Sequence, residues 1–528
     1  MLGLELVVIL GVCVLVCSAV AHRVRIAPPV LLLACGVLIG FIPGLRVISL
    51  PPEVMLLLFL PALLYWESLT TSLREIRSNL RAIVLLSTGL VVATAATVAV
   101  VAHALGLDWG PAWVLGAAVA PTDATAVGVI ARGLPRRTMT ILRAESLVND
   151  GTALVIFGIA VGVTAGQEQF SVGHVALRLV LAYAGGALAG LLTAWLAVRA
   201  RRGLDNPMHE NVVSVLTPFT AFLLAELIDA SGVLAVVVCG LTLSQIGPRV
   251  VRADTRQQAE AFWRLATFLL NGALFVLIGL QAHGVLRDLS AAQAGSAFGV
   301  IGSISAVVIG TRFAWTYTTP YLIRALDRRP QQRLRRVGAR QRMVNAVCGF
   351  RGAVSLAAAL AVPDTAASGA PFPQRDQIVL VTSGVVVITL VMQALALPAV
   401  VRWARLPEDT ALAEERRLAE ATASEEAYAV LPDVAARLGV SDAVLARVRA
   451  EYDHHLEVAR ANPDDDEDEP LRQAEAEYAA LRLEIIAHKR ATVVRLRDQQ
   501  AIDDTVLRLI QAKLDVEEVR LAHREILD

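Results

Sequence analysis

Glu145, Ser146, Asn149 and Asp150 place four oxygen-bearing side chains in one short stretch. Glu145 stands four residues before Asn149 and Ser146 four before Asp150, so a helix here carries all four over neighbouring turns of one broad face. Two carboxylates, a hydroxyl and an amide are the hard donors that a small cation takes, and a carboxylate also accepts a proton. The stretch continues into the apolar run Ala153 to Val163, which puts Asp150 within a segment long enough to cross a bilayer. A charge held in hydrocarbon is expensive, so its default reading is a binding or pathway residue for an ion or proton.

Two further anomalies interrupt apolar segments. Ala120-Pro121-Thr122-Asp123-Ala124-Thr125 centres a proline between apolar flanks. Proline lacks a donor and clashes with the preceding turn, which predicts a broken helix in mid-membrane. Non-helical backbone at that depth is tolerated only inside protein or beside a wet cavity, where its carbonyls can coordinate a cation. Thr122 and Asp123 could then complete the shell begun by the first face. Gly349-Phe350-Arg351-Gly352-Ala353-Val354-Ser355 repeats the pattern with a guanidinium between two glycines. Arg312 lies in the preceding apolar segment, and either Arg312 or Arg351 could neutralise Glu145, because intramembrane charges pair. The bland alternative is that all these groups only cement helices together.

The elements that must position these residues follow from composition. The 528 residues are 55% hydrophobic and 18% charged, with a mean hydropathy of +0.58. Apolar blocks of roughly 18 to 30 residues predict an all-α membrane protein of about 13 transmembrane helices. They begin near Leu2, Ala27, Val54, Ala82, Pro111, Met139, Val172, Asn211, Ser231, Ala261, Ala292, Arg342 and Gln377. Two spans interrupted at corresponding places, the fifth and the twelfth, point to inverted repeats, spans four to six against eleven to thirteen, with the substrate site at their breaks. No residue-level repeat accompanies that symmetry.

The first block holds Glu5 and lacks a basic leader, so it is read as retained. Arginines gather in alternate connections: Arg23 and Arg25; Arg74, Arg77 and Arg81; Arg132, Arg136 and Arg137; Arg199, Arg201 and Arg202; Arg249, Arg252 and Arg256; then the dense set from Arg324 to Arg340. The remaining connections hold little beyond Arg46, Arg287 and Arg375. By the positive-inside rule the N-terminus is outside and the C-terminus cytoplasmic. The five cysteines lie in apolar blocks at no metal-ligand spacing and are read as packing residues.

Composition shifts near Pro407 to Ala, Glu, Arg and Leu. The chain therefore divides into a transmembrane domain, 1–406, and a cytoplasmic helical tail, 407–528, for regulation or assembly. In the tail one helix is expected over Glu414 to Leu431, ended by Pro432. A second runs to Asn462, the acidic run Asp464 to Glu469 is a solvated linker, and a last helix covers Leu471 to Leu527.

At these residues the chain resembles the monovalent cation:proton antiporter family, in the bacterial form of its Na+/H+ exchanger branch. The matching pieces are Phe59-Leu60-Pro61-Ala62-Leu63-Leu64-Tyr65-Trp66-Glu67, Pro121-Thr122-Asp123-Ala124-Thr125-Ala126-Val127, Glu145-Ser146-Leu147-Val148-Asn149-Asp150-Gly151 and Gly349-Phe350-Arg351-Gly352-Ala353-Val354. Any one is weak and together they are specific, over about residues 1 to 405. The resemblance implies the Na+/H+ antiporter fold, with a mobile six-helix core beside a dimerisation domain, and a homodimer in the plasma membrane. It implies that Asp150 binds cation and proton alternately beside Asn149, and that Thr122, Asp123 and Ser146 share the transient Na+ site. Glu145 would form an internal ion pair with an arginine, and Glu67 would line the approach.

One carboxylate serving two ligands makes proton and cation mutually exclusive, since burial favours the neutral form and a bound cation the ionised one. If only loaded forms cross, the two are exchanged. Asn149 cannot titrate, which predicts electroneutral one-for-one exchange of Na+, or of Li+ or K+, for H+. A K+/H+ antiporter is the nearest rival. A cation channel would need a carbonyl-rich loop or charge ring, and an intramembrane aspartyl protease a Tyr-Asp and a Gly-x-Gly-Asp sequence; neither pattern surrounds these aspartates. No enzymatic chemistry, cofactor or nucleic-acid partner is implied.

Overall fold

Apolar helices without a polar face must pack on all sides against other helices or lipid, and that is how this chain is built. The computed structural model describes residues 2–24, 27–42, 55–124, 127, 134–167, 171–287, 291–326, 338–349, 351–406, 411–460 and 469–525. Among the described residues the regular structure is helical, apart from one β-bridge between Thr365 and Pro371. The arginines at 25, 46, 132, 328, 329, 333, 335 and 336 and most of the acidic run, 464–468, lie outside the described residues.

The chain forms two compact units, Met1–Glu408 and Asp409–Asp528. The first unit opens with α1 (Leu2–Val24) and α2 (Pro28–Ile39), then a π turn leading into α3 (Leu60–Thr70). It continues with α4 (Leu73–Val84), α5 (Leu90–Ala104), α6 (Trp109–Val119), α7 (Arg136–Thr164), α8 (Val172–Arg201) and α9 (Pro207–Glu226). After these come α10 (Gly232–Val250), α11 (Ala253–Arg287), α12 (Ala291–Leu326), α13 (Ala339–Val347), α14 (Ala353–Leu360) and α15 (Arg375–Ala404). Among the described residues seven helical segments are long and apolar enough to cross a membrane by length and composition.

The fourth span begins earlier than its hydropathy suggests. Ser72 caps α4 by accepting from the Glu75 amide at 3.4 Å, and α4 runs through a π turn, Leu85–Gly89, into α5. Arg74, Arg77 and Arg81, expected in a connection, therefore sit on an amphipathic extension of the span. Its inner face meets the start of α7, where Glu75 contacts Arg136 and Thr140 and Asn79 accepts from Arg137 at 3.0 Å.

α6 is closely enclosed. Pro111, Ala112 and every residue from Val114 to Val119 are buried, because small side chains let α5, α7, α14 and α15 approach closely. By contrast α8 turns Leu177, Leu181, Leu188 and Trp195 outward, as a lipid-facing helix does. All five cysteines are free thiols.

In the second unit α16 (Ala411–Leu438) pairs with α17 (Asp442–Arg460), and α18 (Glu469–Asp498) with α19 (Asp504–Glu525). Two expectations are corrected here. Pro432 does not end its helix: it is exposed, and α16 continues to Leu438, after which Gly439, with a φ of +64°, supplies the left-handed stop. The last helix is two. Gln500 takes φ +57°, Ala501 donates back to the Leu496 carbonyl at 2.9 Å, and Asp503 starts α19 by accepting from the Thr505 amide at 2.7 Å.

Candidate ion site

Pro121 has the local effect its chemistry requires. α6 stops at Val119 and the backbone is non-helical over Ala120 to Ala124, leaving the last carbonyls of α6 without intrahelical partners. The second break falls between α13 and α14, where Cys348, Gly349, Arg351 and Gly352 are non-helical; residue 350 lies outside the described residues.

The two breaks exchange charges. Arg351, 1% exposed, donates through Nε to the Val119 carbonyl at 3.1 Å and through Nη1 to the Gly349 carbonyl at 2.6 Å. A cation thus sits at the C-terminus of α6, the negative end of its dipole. Reciprocally, the Asp123 carboxylate lies against Gly352, the residue that opens α14, at the positive end of that helix. A Cβ on Gly352 would stand 2.3 Å from Asp123 Oδ2, so only glycine admits the carboxylate there.

α7 brings Glu145, Ser146, Asn149 and Asp150 to its inner side, all of them buried. Glu145 is held from two directions. Arg312 of α12 donates to both carboxylate oxygens, Nη1 to Oε1 at 2.5 Å and Nη2 to Oε2 at 3.3 Å. Thr122 donates to Oε1 at 3.1 Å. Arg312 also donates to the Asn345 carbonyl of α13 at 3.2 and 3.3 Å. Of the two arginines kept open above, Arg312 is the partner of Glu145, and Arg351 serves the carbonyls of the breaks. Asn149 Nδ2 donates to the Thr122 hydroxyl at 2.7 Å and to the Thr122 carbonyl at 3.2 Å, and Ser146 Oγ accepts from the Ala124 amide at 3.3 Å.

A cavity of about 50 Å³ opens beside this lattice, room for a few water-sized occupants. Its polar lining is Glu67, Thr122, Asp123, Ser146, Asp150, Asn271 and Ser355, with Phe59, Leu60 and Leu274 among the apolar residues. Five residues singled out from sequence, Glu67, Thr122, Asp123, Ser146 and Asp150, therefore share one wall. Asn149, Glu145, Arg312 and Arg351 stand outside the lining and hold its framework. Among the described residues no group of three or more His, Cys, Asp or Glu stands at metal-holding distances, so the cavity is not a ready-made carboxylate cage.

Sequence reasoning missed Asn271 and Ser355. Asn271 was detectable as a lone amide in the apolar middle of α11. Ser355 was hidden by its ordinariness, a serine in an alanine-rich helix.

The transmembrane model of the sodium/hydrogen exchanger family matches residues 11–403. An uncharacterized Na+/H+ exchanger of Mycobacterium tuberculosis is 47% identical over 521 residues, covering 98% of this chain and 96% of that protein. An uncharacterized Na+/H+ exchanger of Escherichia coli is 30% identical over 532 residues, 96% of each. A sodium, potassium, lithium and rubidium/H+ antiporter of Bacillus subtilis is 30% identical over 413 residues, 74% of this chain and 61% of that protein. The structure of the sodium proton antiporter MjNhaP1 from Methanocaldococcus jannaschii superposes with a TM-score of 0.58 at 20% identity, over 76% of this chain and 99% of that one, and so shares its fold. With a family model spanning most of its length and full-length relatives at 30% identity and above, the chain belongs to the sodium/hydrogen exchanger family of membrane transporters.

Proposed function

We propose that this multi-pass transporter exchanges one Na+ for one H+ across the plasma membrane by alternating access, with Asp150 as the residue that carries either ion. The observation that carries this reading is the pairing pattern of the two carboxylates on α7. Glu145 is fully engaged by Arg312 and Thr122, whereas Asp150 faces the cavity with Asp123, Ser146 and Thr122. A carboxylate neutralised by a bidentate guanidinium is poorly placed to take a cation; one beside a wet cavity is well placed.

In this reading Ser146 and Asp123 offer oxygens to the cation, and the unwound backbone at Thr122 offers more. Glu67 lines the approach from α3. Asn149 holds Thr122 by donating to its hydroxyl and carbonyl and, as an amide, contributes no proton, which makes the cycle electroneutral. Asp123 lies against the N-terminus of α14, whose dipole favours a negative charge. The core would move as a rigid body against the remaining helices of a homodimer, with the N-terminus outside and the C-terminal unit cytoplasmic, where it regulates or assembles the transporter.

The name of the Bacillus subtilis relative favours a second reading, that K+, Li+ and Rb+ are also carried. The test is a proteoliposome assay of pH-gradient dissipation by Na+, K+ and Li+, with reversal potentials at several imposed voltages. Na+-driven dissipation independent of voltage is expected. Any voltage dependence of the equilibrium contradicts one-for-one exchange, and dissipation by K+ alone replaces Na+ as the substrate.

A further inference from the structure

The proposed exchange site gives no role to two polar residues of the cavity lining, the half-buried Asn271 and the buried Ser355. Ser355 is completely buried, lines the same cavity as Asp123, Ser146 and Asp150, and its Oγ has no hydrogen-bond partner. Its place beside the second break denies it one common acceptor. Several buried hydroxyls on intact helices donate to the carbonyl four residues back: Ser68 to Leu64 at 2.6 Å, Thr193 to Ala189 at 2.8 Å, Ser383 to Val379 at 2.7 Å, Thr389 to Val385 at 2.8 Å. Ser355 is the third residue of α14. The residue four before it is Arg351, which precedes the helix, so no helical carbonyl lies beneath its hydroxyl.

Other buried hydroxyls lack a partner too, including Ser87, Thr94, Ser305 and Thr382, but none of them lines this cavity. The remaining hydroxyls of the cavity are engaged. Thr122 Oγ1 donates to Glu145 and accepts from Asn149, and Ser146 Oγ accepts from the Ala124 amide. Ser355 keeps two acceptor lone pairs and a donor proton for an occupant.

We propose that Ser355 is an oxygen ligand of the transported cation, directly or through one water, and that it sets selectivity among alkali ions. The proposal rests on the exchange site described above. A hydroxyl on the first turn of a helix fixed at Gly352 is a neutral donor at a set position, so it adds attraction without adding charge to the cycle. Because ion–dipole attraction steepens as the ion shrinks, Li+ and Na+ depend on such a close oxygen more than K+ does.

The experiment compares wild type, Ser355→Ala, Ser355→Thr, Ser355→Cys and Asp150→Asn in proteoliposomes, reading KM and maximal rate for Li+, Na+ and K+. Ser355→Ala is expected to raise KM for Na+ about tenfold, the loss of one good ligand contact. The rise should be larger for Li+ and smaller for K+, with maximal rate little changed and electroneutrality kept. Ser355→Thr should hold wild-type values. An Ala variant with unchanged KM and unchanged ion order overturns the proposal, as does a uniform fall in rate at constant KM, the mark of a packing role. Should the Ala variant not fold, Ser355→Cys decides, because it keeps the volume and replaces hard oxygen by soft sulfur: a shifted ion order supports the ligand and an unshifted one rejects it. Exchange that survives in Asp150→Asn removes the site itself. An inactive Asp150→Asn beside an unaltered Ser355→Ala removes only this inference.

Discussion

Glu145 and Arg312, 167 residues apart in sequence, form a bidentate ion pair in which each residue is 2% exposed. The pair joins α7 to α12 at the level of the ion cavity, and the Asn345 carbonyl extends it to α13. Removing one partner of such a pair strands the other charge in the interior, at a cost of about 3–5 kcal/mol. Glu145→Leu and Arg312→Met are each expected to lower the melting temperature in detergent steeply. The double variant should recover a large part of the loss. Equal and additive losses in a double-mutant cycle would show that the two residues are not coupled.

Gly352 admits the Asp123 carboxylate, and the proposed site depends on where that carboxylate sits. In Gly352→Ala the new methyl meets Asp123 Oδ2 at 2.3 Å without rearrangement. Exchange is expected to slow roughly ten- to hundredfold, as for other displaced reactive groups. Gly310→Ala, where a Cβ meets nothing within 4 Å, is the matched control and should keep wild-type rates, measured in the same vesicles.

Thr122 links Asn149 to Glu145 through one hydroxyl. Thr122→Val removes the acceptor of a buried amide and the donor to a buried carboxylate, a loss of about 1–3 kcal/mol. Thr122→Ser keeps both bonds and is expected to keep thermal stability within a few tenths of a kcal/mol of wild type. Denaturation curves of the two variants compare the hydroxyl with the methyl directly.

Asp503 offers a pH test in the second unit. The Thr505 amide donating to its carboxylate holds Asp503 below its ordinary value of 3.8. A lowered folded value means the cap stabilises α19 above about pH 4 and is lost as pH falls through that lower value. The protection of the Thr505 amide against hydrogen exchange, taken relative to the intrinsic rate at each pH, is expected to fall on acidification in wild type. In Asp503→Ala that protection should be low and flat across the same range.

The parts of this site that depend on local chemistry were legible in the sequence. Pro121 announces the first break, the pair Gly349 and Gly352 the second, and the four-residue spacings from Glu145 to Asn149 and Ser146 to Asp150 announce a shared face. The choice between Arg312 and Arg351 was not legible, because it is made by how α12 and the second break cross α7, a tertiary relation that no spacing encodes. Ser355 was not singled out for the same reason: helix packing places it, buried and unpartnered, in the cavity wall. In the tail Gly439 carried a readable stop that Pro432 overshadowed. Gln500 carries no such mark, since a non-glycine residue in the left-handed region is a product of the turn around it.

The most direct measurement of the central claim is Na+-driven proton efflux from proteoliposomes containing Asp150→Asn beside wild type, with folding checked by melting temperature. A folded variant that neither moves protons against Na+ nor binds Na+ is expected, because the amide can take neither ion. Coupled exchange at wild-type rates in that variant would mean that cation and proton are carried elsewhere.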